Sequence, residues 1–169
     1  MAEMKELLGE IDFFEEFTEE EKDQICAGSL MKEFVADTHI IHEGNTDRTL
    51  YVLISGKAEV AKASAPSSPL AELTPGAVFG EVALFTHQTR TTDVIAREPV
   101  VLFQLPDETY QSLDPDLKVK IQLQTIKILL GRLSHMNRSF LKMVQLQKAT
   151  QAAMAGANTP DQAREEADL

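Results

Sequence analysis

Apolar positions in the first thirty residues recur at helical spacing, with Phe14, Phe17, Ile25 and Leu30 supplying one stripe. Thr18 followed three positions later by Glu21 is a capping box, in which side chains satisfy backbone N–H groups that a helix start leaves unpaired. The pattern predicts a helical segment over residues 1–31. From about Glu33 the texture changes to short β-rich runs separated by turns. "THIIHEG" is one such run, and "LYVLISGKAEVAKA" divides into two about Ser55-Gly56. "SAPSSP" reads as a surface connection, after which "LAEL", "TDVIA" and "VVLFQL" continue the series to residue 106. Many short strands at close spacing imply a sandwich, jelly roll or barrel. Pro106 and Asp107 open a short helical piece, "DETYQSL", and Pro115 stands at a favourable first-turn position for a long helix. Helical pattern therefore fills residues 107–155, and the polar tail, 156–169, is expected to be disordered. No period of repeat length is present.

Bulk composition narrows the class. The 169 residues, 43% hydrophobic, suffice for one compact domain with an appendage. Apolar runs fall far short of a membrane span, and the acidic start "MAEMKELLGE" lacks a secretion signal pattern. The lone Cys26 excludes an internal disulfide framework and a cysteine-based zinc site. A cytoplasmic protein is expected.

Charge is unevenly placed. Residues 1–24 hold ten acids and two bases, whereas the stretch from Leu117 to Pro160 has no acid and seven bases. Attraction between the two segments within the fold, or plain solvation of both, is favoured over contact with nucleic acid. The net charge of -11 opposes binding to a phosphate backbone, so DNA is not an expected partner, and the short apolar runs make a membrane an unexpected one too.

"FGEVALFTHQTR" places Glu81 and Arg90 nine positions apart around small and apolar residues. A phosphate is matched by the donor fork of an Arg and by N–H groups at a helix start. An ionised Glu accepts from a ribose hydroxyl without donating. "PGAVFGEVAL" supplies a turn, a glycine that lets backbone approach closely, and a helix-capable run from about Glu81. The constellation suits a nucleotide phosphate and ribose and needs no catalytic group. The competing reading is a simple Glu81–Arg90 ion pair in an empty fold.

These residues also carry a resemblance. "FGEVALFTHQTRTTDVIA" resembles the phosphate-binding cassette (79–91) of the cyclic nucleotide-binding domain family. "EGNTDRTLYVLISGKAEV" is similar to that family's glycine-turned strand pair, with Gly44 and Gly56 in place, and the likeness runs from Phe14 to Leu133. It implies an α+β fold: an antiparallel β-roll (jelly roll) over 32–106, with N-terminal helices and a long C-terminal helix. It implies cAMP or cGMP as ligand, with Glu81 on the ribose 2′-hydroxyl and Arg90 on the cyclic phosphate. Phe79 begins the cassette, and the amides of Gly80, Val82 and Ala83 would line the anion. Thr91, where similar domains that prefer cGMP often carry Thr, offers an acceptor to the 2-amino group of guanine. Two positions depart from the family pattern: Thr89 stands where Pro is common, and Thr92 where Ala is.

Other candidate chemistry is weaker. The odd spacing of His39 and His42 predicts opposite faces of a strand, so no metal site is expected there. His87 reads as a solvated loop residue and His135 as a surface residue. Ser134 and His135 are helix neighbours and do not face each other, so no catalytic residues and no enzyme are expected. Ile126, Leu130, Leu133, Asn137, Phe140 and Val144 form an alternating four-three seam beside a second one, Leu129, Leu133, Met136, Phe140 and Met143. This favours a partner helix, and hence a homodimer. In the family this helix also serves as lid over the base, a role open to Met136, Phe140 and Met143. "ATQAAMAGANTPDQAREEADL" is too short and polar for a DNA-binding domain. The expectation is a stand-alone, non-catalytic sensor signalling through an unknown effector protein, without cofactor. The alternative is an interaction or dimerisation module of the same fold that has lost its nucleotide.

Overall fold

The computed structural model describes residues 2–157. The described residues divide into two compact units, one ending at Ile126 and the other beginning at Lys127. The first begins with α1 (Ala2–Gly9), a 3-10 turn (Asp12–Phe14) and α2 (Glu19–Ala27). Thr18 caps α2 as its sequence requires: its hydroxyl accepts from the Glu21 N–H, and the Glu21 carboxylate accepts from the Thr18 N–H. Phe13, Phe14 and Phe17 form an aromatic cluster, and Phe14 meets Phe103 edge-on at 5.8 Å. That contact fastens the helical segment to the β core.

Eight strands follow, with a short helix between the sixth and seventh. They are β1 (Leu30–Phe34), β2 (His39–Ile41), β3 (Leu50–Ser55), β4 (Ala58–Ala61), β5 (Ala71–Leu73), β6 (Val78–Phe79), β7 (Asp93–Ala96) and β8 (Val100–Leu105). They build two four-stranded sheets, ordered β1-β8-β3-β6 and β2-β7-β4-β5, in which every pair is antiparallel. The expected β-roll is therefore present. Its interior is closed by Leu53, Phe79, Val94, Val100 and Leu102, which share one apolar cluster. The strands richest in apolar residues, β3 and β8, pair with each other and are buried along most of their length.

The turn joining β3 to β4 needs its glycine. Gly56 has φ +86°, and a Cβ there would stand 2.3 Å from the Pro99 carbonyl. α3 (Glu81–Thr86) lies between β6 and β7, and α4 (Asp107–Ser112) precedes α5 (Pro115–Ala157).

Two expectations are corrected. Leu30 does not extend the helical stripe: it opens β1 and is 58% exposed, so the helical segment ends before residue 31. His39 and His42 do not point apart, because β2 is irregular. His39 pairs with Ile95 but Ile41 with Val94, a register shift that places one extra residue on β2 and resets its alternation. The tail expected over 156–169 lies outside the described residues apart from its first two positions.

Candidate functional site

The cassette occupies the turn from β6 into α3 and the segment leading to β7. Gly80 adopts a left-handed conformation (φ 82°, ψ 1°), and the chain turns there directly from β6 into α3. The first amides of a helix lack partners within it, so Val82 and Ala83 present such groups at the start of α3. Phe79, Glu81 and Ala83 are buried, whereas Val82 and Thr91 are exposed.

Arg90 is the centre of this region and is only 4% exposed. Its Nε donates to Asp47 Oδ2 at 3.1 Å, and Nη2 donates to Asp47 Oδ1, a bidentate pair. Nη2 also donates to the Thr49 carbonyl and Nη1 to the Gly80 carbonyl, both at 2.8 Å. Tyr51 lies beneath the guanidinium, 5.7 Å from ring centroid to Cζ, and stacks at 5.2 Å on Phe79. The main chain is held as well. The Gly44 N–H donates to the Arg90 carbonyl at 2.8 Å, and the Arg90 N–H donates to Asn45 at 2.7 Å. The residue is thus fixed at both side chain and backbone.

Asp47 was not singled out by sequence, although it is the bidentate carboxylate of Arg90. Burial pushes its carboxyl upward, but the hydrogen bonds and charge of Arg90 outweigh this and hold it below its ordinary value. These four bonds account for four of the five guanidinium N–H donors, leaving one on Nη1.

A chain of contacts leaves the back of α3. Phe85 meets Tyr110 of α4 edge-on at 5.6 Å, and Gln122 of α5 donates to the Tyr110 hydroxyl at 2.8 Å. A cavity of about 380 Å³ lies along this path, lined by Leu84, Phe85, His87, Tyr110, Lys118 and Gln122. Met136, Phe140 and Met143 are exposed on the long helix.

Comparison with known proteins accords with this fold. Residues 31–113 match the family model of the cyclic nucleotide-binding domain. Over 100 residues it is 35% identical to a cGMP-dependent protein kinase of Eimeria tenella, covering 59% of this chain and 10% of that one. Over 109 residues it is 30% identical to the cAMP-dependent protein kinase regulatory subunit of Dictyostelium discoideum, covering 63% of this chain and 33% of that one. The chain thus spans a third or less of the length of these relatives. A solved cyclic nucleotide-binding domain from Methylobacillus flagellatus shares the fold at TM-score 0.72 and 21% identity, covering 84% of this chain and 83% of that one.

Proposed function

We propose that this domain is a cytoplasmic, non-catalytic sensor that binds cAMP or cGMP and signals through a partner protein. The observation that carries the reading is Arg90, buried and held on three sides beside the start of α3. A buried guanidinium is costly unless charge meets it, and a cyclic phosphate completes what Asp47 begins. Glu81 takes the ribose 2′-hydroxyl, the amides of Gly80, Val82 and Ala83 take phosphate oxygens, and Phe79 supports Tyr51 beneath. The relatives include both a cGMP-dependent and a cAMP-dependent kinase system, so both nucleotides belong in the test. Contact from Phe85 through Tyr110 to Gln122 carries a ligand-induced shift of α3 to the start of α5. The exposed residues Met136, Phe140 and Met143 then serve as lid or partner surface.

One observation favours the alternative of a fold without ligand: Asp47 and two carbonyls already engage most of the Arg90 donors. Calorimetric titration with cAMP and cGMP separates the two readings. Loss of one partner in a desolvated charged contact costs about 2–5 kcal/mol, so Arg90→Ala is expected to weaken binding by more than about tenfold. Glu81→Ala removes only hydroxyl contacts and is expected to cost less. Arg90→Lys keeps a charge for the fold while losing the fork, and is the control for general destabilisation. Wild-type affinity in a folded Arg90→Ala variant, or no binding of either nucleotide to wild type, overturns the sensor reading.

A further inference from the structure

The shifted register of β2 creates a cluster that plain strand alternation forbids. The extra residue between His39 and Ile41 turns His42 to the side of His39, and the two imidazoles stack at 4.4 Å, only 7° from parallel. Asp93, at the start of β7, faces them. Its Oδ1 stands 3.8 Å from His39 Nδ1, too far for a hydrogen bond. Taken one ligand atom per residue, the donors of His39, His42 and Asp93 all lie within 4.8 Å of one another. No other group of three His, Cys, Asp or Glu side chains comes together in this way among the described residues.

We propose that His39, His42 and Asp93 bind a divalent ion of the zinc class, a site separate from the nucleotide cassette. Two imidazoles and one carboxylate are a donor set suited to zinc, copper or nickel, with water completing the coordination. Tetrahedral bonds of about 2 Å put donors about 3.3 Å apart, so the ligands need to close by an ångström or so. The histidines are exposed at this edge, whereas Asp93 is buried and already oriented. Its Oδ1 accepts the Glu43 N–H at 2.8 Å, the kind of support that holds a ligating carboxylate in place. Neighbouring charge does not repel the ion: Glu43 is acidic, and Lys62 is engaged by the Glu43 carboxylate at 3.0 Å and by the Thr91 carbonyl. The ion joins β2 to β7, so its first effect is on the stability of that sheet edge.

The test is titration of zinc chloride into the tag-free full chain, without nucleotide, followed by calorimetry and thermal unfolding. One ion per chain is expected, together with a rise in unfolding temperature that chelator reverses. His39→Ala and His42→Ala replace exposed side chains and are expected to weaken binding by at least about tenfold. His135→Ala is expected to leave affinity unchanged, which distinguishes this site from general surface binding. Absence of saturable binding overturns the proposal. So does wild-type affinity in folded His39→Ala and His42→Ala proteins.

Discussion

Gly80 is constrained twice. Its φ of +82° belongs to the left-handed region, and a Cβ there would stand 2.6 Å from the Thr49 carbonyl and 2.8 Å from Arg90 Nη1. The first constraint costs a side chain about 1–2 kcal/mol, and the second displaces the guanidinium itself. Gly80→Ala is therefore expected to lower nucleotide affinity further than its loss of stability accounts for, by calorimetry set against urea unfolding. An affinity equal to wild type would show that Arg90 tolerates displacement. Asp47 gives a pH signature. Its carboxyl is held below the ordinary value of 3.8, so the pair stabilises the fold above that value and is lost as pH falls through the lower, folded one. With 43% of the Asp47 side chain exposed, solvent screening limits the effect to about 1 kcal/mol or less. Urea unfolding of Asp47→Asn is expected to show reduced stability at neutral pH and a shallower decline below about pH 4. Parallel acid profiles for variant and wild type would remove the pair from the stability account. Arg90 and Gly80 stand out in the sequence as candidates because the cassette is contiguous. Asp47 was not, since a partner 43 positions away leaves no trace in local spacing.

At the level of elements, legibility followed how local the determining interactions are. The α2 cap depends on Thr18 and Glu21 alone, and it formed as read. The turn at Gly56 and the apolar runs of β3 and β8 are similarly self-contained. β6 has only two residues, Val78 and Phe79, and exists through pairing with Val52 and Tyr51. So short a run carries no periodicity of its own. The irregularity in β2 is the clearest limit. Nothing in "THIIHEG" announces an extra residue, because a bulge is defined by the partner strand, here β7. The reading of His39 and His42 as opposed was sound for a regular strand and failed for this one. That same irregularity keeps two imidazoles at the edge beside a buried carboxylate.

Across the whole molecule, the separation of charge along the chain has a structural counterpart. Lys120 of the basic stretch donates to Glu21 of the acidic one at 2.6 Å, and Gln124 donates to Glu16 at the same distance. The Lys120 bond draws the Glu21 carboxyl below its ordinary value. These contacts join the start of α5 to the N-terminal segment, one of the two readings that the charge pattern leaves open. The remainder of the helix is a different problem. Leu130, Leu133 and Phe140 are 58%, 52% and 64% exposed, an apolar seam of the kind that helices bury against one another. Leu130, Asn137 and Val144 take a-type positions and Leu133 and Phe140 d-type ones, and a single Asn among apolar a residues favours a dimer of defined register. If ligand binds one arrangement of this helix more tightly, it shifts association by that difference in affinity. Sedimentation equilibrium of wild type is expected to show a dimer whose stability changes with added nucleotide. Phe140→Glu buries a charge in the seam and is expected to yield a monomer. A monomer under every condition, with unaltered nucleotide affinity in Phe140→Glu, would exclude this helix both as dimer contact and as lid.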